Sequence, residues 1–148
     1  MRSRTANWFL CKVRYEKMME DGLQKKVTEQ YVVDALSFTE AEARIIEQMV
    51  SFVGKEFDIV EIDRCVFKEV FFSDDAAADK YYKSKLQFIT IDENTEKEKR
   101  TNVYYLVQGS SLENARKNID EVMGATMIDY VISSVSETKI MDVFEYTN

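Results

Sequence analysis

Histidine and proline are absent from this 148-residue chain, glycine occurs four times and cysteine twice. Each shortage excludes something. Without histidine there is no Ser-His-Asp triad, no imidazole general base and no His-ligated zinc. Without proline there are no Pro-rich linkers or recognition tails. The few glycines form no Walker loop, no GxGxxG and no nucleophile elbow. Cys11 and Cys65 make neither a CxxC pair nor a disulfide framework, so both are expected as reduced, mostly buried thiols. No run of about 18 apolar residues occurs, so no membrane span is expected. The N-terminal MRSRTANWFLCKVRYEK also lacks the apolar core of a signal peptide. These shortages lead us to expect a cytoplasmic, non-enzymatic protein without a cofactor.

What is present suffices for a core: 45% of residues are apolar and 12% aromatic, too many for a disordered chain. The informative pattern is internal. Residues 7–73 can be laid over residues 80–146, with matches at Val33/Val107, Ser37/Ser111, Ala41/Ala115, Ile45/Ile119, Glu47/Glu121 and Met49/Met123. Each half reads as strand, strand, helix, strand and a further strand. Phe9, Cys11, Val13 and Tyr15 alternate with Trp8, Leu10, Lys12 and Arg14, which is strand periodicity. Tyr82, Ser84, Leu86 and Phe88 repeat it, with Lys83, Lys85 and Gln87 on the other face. Asp21-Gly22 and Asp92-Glu93-Asn94 mark the two hairpin loops. Ser37-x-x-Glu40 and Ser110-x-x-Glu113 are capping-box patterns ahead of helices with the stripes Phe38, Ala41, Ile45, Met49, Phe52 and Leu112, Ala115, Ile119, Met123.

The expected fold is therefore α+β: two tandem ββαββ-like repeats, about 7–73 and 80–146, joined by 74–79. A unit of about 67 residues is small for independent stability. One domain spanning 1–148 is expected, its antiparallel sheets packed on two helices about a pseudo-twofold axis.

NWFLCKVRYEK, KKVTEQYVVDALSFTEAEARI, VFFSDD and KIMDVF together resemble a family of short bacterial and phage proteins known only as a domain of unknown function. The resemblance spans nearly the whole chain. It implies a compact intracellular protein, often associated with phage or mobile elements, and brings no catalytic residues.

Candidate chemistry is sparse. Asp74, Asp75 and Asp79 read as turn and capping acids rather than a cation site. DENTEKE (92–98) lacks the central glycine of a calcium loop. Cys11 has Lys12 and Arg14 beside it in sequence, but alternation sends those side chains to the opposite face. Charge is more informative. The formal net charge is −7, yet residues 1–30 carry seven bases against four acids and residues 80–101 six against four. The basic excess thus falls on the two matching hairpins. Trp8, Lys12, Arg14, Lys25 and Lys26 in the first, and Tyr81, Lys83, Lys85, Lys99 and Arg100 in the second, form the candidate partner surface. Protein interaction or self-association is the favoured reading. The alternative is single-stranded nucleic acid bound through aromatic platforms and cations on both outer hairpin faces. No membrane partner is expected.

Overall fold

The alternating segments become long strands in a computed structural model of the chain, which describes residues 1–54 and 56–146. In chain order the elements are β1 (Arg2–Thr5), β2 (Trp8–Met18), β3 (Gln24–Asp34), α1 (Phe38–Val53), β4 (Asp58–Arg64) and β5 (Glu69–Phe72). They continue with β6 (Lys80–Ile91), β7 (Glu98–Gly109), α2 (Leu112–Gly124), β8 (Tyr130–Glu137) and β9 (Ile140–Phe144). The chain is thus α+β, its described residues forming two helices and nine strands in two mixed sheets.

Two compact units result, and their limits fall at neither residue 73 nor residue 80. Unit 1 comprises Met1–Thr5 with Val66–Thr138; unit 2 comprises Ala6–Cys65 with the segment from Lys139. Unit 2 holds the four-stranded sheet β4-β2-β3-β9, and unit 1 holds the five-stranded sheet β1-β5-β7-β6-β8. The expectation of antiparallel sheets needs correction. β9 runs parallel to β3, and β5 runs parallel to β7. The hairpin neighbours β2/β3 and β6/β7 are antiparallel, as are β2/β4, β6/β8 and β1/β5. Neither β5 nor β9 folds back onto the strand before it.

In unit 2 the inward residues are those the alternation assigns. Phe9, Cys11 and Val13 meet Tyr31 and Val33 beneath Ala41, Ile45 and Met49 of α1, and Phe144 closes the cluster. Phe144 stacks on Tyr31 with ring centroids 5.6 Å apart. In unit 1, Tyr82 and Leu86 meet Tyr105 and Val107 beneath Ala115, Ile119 and Met123, with Phe71 from β5. Phe38 and Phe52, the two ends of the expected helix stripe, remain largely exposed.

Both helices start at a serine. Ser37 Oγ accepts from Glu40 N at 3.1 Å, and Glu40 Oε1 accepts from Leu36 N at 3.0 Å. In α2 the cap is Ser111, not Ser110: Ser111 Oγ accepts from Asn114 N at 3.1 Å. Asn114 Oδ1 in turn accepts from Ser110 N at 3.0 Å, so an amide does what Glu40 does in α1. A second pairing ties each helix to the end of a strand. Arg44 Nη1 donates to Asp34 O at 2.6 Å, and Asn118 Nδ2 donates to Gln108 O at 2.9 Å.

The stretch 74–79 is a fixed turn. Asp75 Oδ1 accepts from Ala77 N at 2.9 Å, and Gln108 Nε2 donates to Ala78 O at 2.9 Å. The two hairpin turns differ. Gly22 supplies the positive φ of 81° in the first, whereas Glu96 holds φ 57° in the second. A side chain at a left-handed position costs about 1 kcal/mol relative to glycine, partly offset by glycine's greater freedom when unfolded. Glu96→Gly should therefore stabilise the protein by about 0.5 kcal/mol. A lower urea midpoint for that variant would contradict this.

Candidate functional site

The hairpin register decides which basic and aromatic side chains share a surface. Trp8 and Tyr81, expected as stacking platforms, keep only 2% and 4% of their surface exposed. Stacking needs an open ring face, so neither ring offers a platform; alternation gave the face correctly but not what covers it.

On β2, Lys12 lies directly opposite Glu61 of β4 and its Nζ is 2.8 Å from the Glu61 carboxylate. This hydrogen bond raises the lysine and lowers Glu61. Asp63 is raised, first by its hydrogen bond with Glu61. Arg14 is opposite Asp58, and Lys26 opposite Glu16. Lys25 is exposed near the turn, across from Lys17. The first hairpin thus meets a carboxylate at most of its cations, because β4 sets Glu61 opposite Lys12 and Asp58 opposite Arg14, and β2 sets Glu16 opposite Lys26.

The second hairpin differs. Lys83 is flanked in register by Leu106 on β7 and Ser136 on β8, and Lys85 by Tyr104 and Ser134. Lys83 Nζ is 5.7 Å from the Tyr104 ring centroid. Farther along, Gln87 Nε2 donates to Asn102 Oδ1 at 3.2 Å, and Arg100 reaches Gln87 Oε1 at 3.3 Å and Glu98 at 3.4 Å. Lys99, one residue from Arg100 on the strand, belongs to the opposite face. The structure therefore brings together Lys83, Lys85 and Arg100, adds Tyr104, and leaves out Trp8, Tyr81 and Lys99. Tyr104 escaped the sequence reading, although its signal was present. Once the turn pairs Ile91 with Glu98, Tyr104 falls opposite Lys85.

A second surface lies on unit 2. A groove of about 570 Å³ runs between α1 and the edge strand β4, lined by Phe38, Thr39, Glu42, Ile59, Val60, Glu61 and Ile62. Val60 is the extra residue of a bulge, since Ile59 and Glu61 pair with the consecutive Val13 and Lys12. One and two helical turns beyond Glu42 come Ile46 and Val50, 37% and 44% exposed. At the same distances from the Ser111 cap, α2 carries Asp120 and Gly124. An exposed apolar flank is thus particular to α1.

Cys11 is buried, and burial pushes its thiol up to about 12, which keeps it protonated. Among the described residues, no group of three or more Cys, Asp or Glu side chains is arranged to hold a metal ion. Also among them, no helix is long and apolar enough to cross a membrane.

A family model described as "Domain of unknown function (DUF4494)" matches residues 7–146. The chain belongs to this family. The match takes in every element from β2 to β9 and both surfaces described above. No curated protein and no solved structure matches the chain.

Proposed function

We propose that the chain is a non-enzymatic protein-interaction module, built from a duplicated ββαββ-like unit, that docks a partner in the groove between α1 and β4. The duplication is supported by three parallels. The caps Ser37 and Ser111 sit alike, Arg44 and Asn118 bind equivalent carbonyls, and the order β9-β3-β2-β4 matches β5-β7-β6-β8. The absence of histidine and of any nucleophile motif supports binding over catalysis.

One observation carries the docking reading: Ile46 and Val50 stand exposed on α1, in line with the groove residue Glu42, where α2 has Asp120 and Gly124. An apolar helix flank beside a strand is a surface that accepts apolar anchors from a partner segment. The carboxylate of Glu42 at the groove favours a segment that also carries positive charge.

The test is affinity capture from the native host, then binding of the purified partner, with light scattering for self-association. We expect a defined partner or oligomer whose binding weakens about 30-fold in Ile46→Glu, the loss of a buried anchor worth about 2 kcal/mol. Asp120→Lys should bind like the parent. A strictly monomeric protein without partners, or binding that Ile46→Glu leaves intact, would sink the reading.

A further inference from the structure

We propose that the outer face of the five-stranded sheet in unit 1 binds single-stranded nucleic acid, with Tyr104 as the stacking platform and Lys83, Lys85 and Arg100 as phosphate contacts. The site is separate from the α1–β4 groove and stands or falls independently of it. Sequence-tolerant binding of single strands needs a π-face and cations placed along the path of the backbone; this face offers the half-buried Tyr104 ring and the cations beside it, while Tyr81, Leu106 and Val70 on the same face are buried. Lys83 and Lys85, two residues apart on β6, are about 7 Å apart along the strand. Lys85 is in register with Tyr104, and Lys83 Nζ lies 5.7 Å from that ring. Arg100 follows four residues from Tyr104 on the same strand face, about 13 Å away.

The surroundings suit a polyanion. On the β8 side, the register neighbours of the two lysines are Ser136 and Ser134, which accept or donate hydrogen bonds without adding charge. At the matching place on unit 2, β4 puts Glu61 opposite Lys12 and Asp58 opposite Arg14. Glu98 does lie on the unit 1 face, 3.4 Å from Arg100, but an exposed pair of this kind is weak and readily exchanged for a phosphate. Beside the Tyr104 ring is a recess of about 250 Å³, also lined by Lys68, Asn102 and Val66, with the Glu69 carboxylate as its one acidic group. The hydrogen-bonded amides of Gln87 and Asn102 continue the surface toward Arg100 with polar groups that can meet base edges. A sheet face presents no helix or ribbon for a major groove, so single strands are favoured over duplex.

The experiment is fluorescence anisotropy of the full chain with a labelled oligothymidylate, its duplex counterpart, and polyglutamate as competitor. With three phosphate contacts, affinity should fall about 20-fold between roughly 50 and 200 mM salt. Tyr104→Ala should weaken binding roughly tenfold with the salt slope unchanged. Lys83→Ala/Lys85→Ala should cut the slope by about 1.4. Lys12→Ala and Lys99→Ala should change nothing. Tyr104→Phe keeps the ring and should bind like the parent, which separates stacking from any loss of fold. Four results would each overturn the proposal: no binding at about 50 mM salt, duplex bound as tightly as single strand, Tyr104→Ala equal to the parent, or polyglutamate displacing the oligonucleotide at equal charge. The last would assign the face to an acidic protein instead.

Discussion

A chain cut after Thr138 is expected to lose hydrogen-exchange protection across β2, β3 and β4 while β6, β7 and β8 keep theirs. β9 follows β8 in sequence after only Thr138 and Lys139, yet it completes the sheet of unit 2. The cut removes Phe144, buried against Tyr31 and 5.9 Å from the ring of Phe52. Deleting a buried phenylalanine alone costs about 3–5 kcal/mol. Tyr146 goes with it. Its N–H donates to the buried Asp34 Oδ1 at 2.8 Å, and Gln48 Nε2 donates to its hydroxyl at 2.9 Å. The Arg44 guanidinium also lies over its ring at 4.7 Å. Asp34 would keep its burial with one donor fewer, a further cost of about 1–3 kcal/mol. Together these losses rival the whole stability of a small domain, about 5–15 kcal/mol. Phe144→Ala is the gentler version and should lower the urea midpoint without abolishing folding. Equal loss of protection in both units, or none in either, would contradict the division of the chain at Thr138.

The second large effect is alkaline unfolding between about pH 9 and 12. Burial pushes the Cys11 thiol up to about 12. Burial, followed by the hydrogen bond to Glu29, pushes Tyr15 up to about 12. Tyr31, buried beside the same carboxylate, is raised further. Burial first and Glu69 second take Tyr105 to about 12, and burial with Asp120 does the same for Tyr130. All these groups are neutral when protonated, and all hold their proton more tightly folded than unfolded. Their contribution is therefore fully present below the unfolded values and is lost as pH rises toward the folded ones. Each buried group contributes about 1.4 kcal/mol per pH unit across that window. Cys11, Tyr31 and Tyr105, the most buried, carry most of the loss. Urea midpoints taken from pH 8 upward should fall steeply, with tyrosinate absorbance rising in the same step. Tyr15→Phe should make the fall shallower. A flat midpoint up to pH 12 would show that these hydroxyls and this thiol are not sequestered.

The elements that could be read from the sequence are those whose apolar residues alternate over most of their length. β2 and β6 alternate because Phe9, Cys11 and Val13, and likewise Tyr82, Ser84 and Leu86, point at a helix. β5 gave no such cue. Val70, Phe71 and Phe72 are all buried, so its apolar run is continuous and says nothing about which strand lies alongside or in which direction. That is why the parallel pairings were missed. β1, reading Arg-Ser-Arg-Thr on a sheet edge, has no apolar face at all. On the candidate surface, alternation placed Lys83 and Lys85 correctly. It gives Tyr104 the outer face but not its neighbour across the sheet, because the register across residues 92–97 depends on the turn, whose Glu96 adopts a conformation unusual for its residue type.

The parallel pairing of β3 with β9 joins residues that leave the ribosome far apart in time. After Arg64 is added, about 80 more residues must be made before Phe144 exists, roughly 4–16 s at ordinary elongation rates. For that interval the nascent chain holds β2, β3, α1 and β4 with one edge of β3 unfilled, a template on which another strand can pair. Final assembly of unit 2 therefore waits until β9 has been made, and crowding on polysomes is the setting in which the chain is most exposed to mispairing.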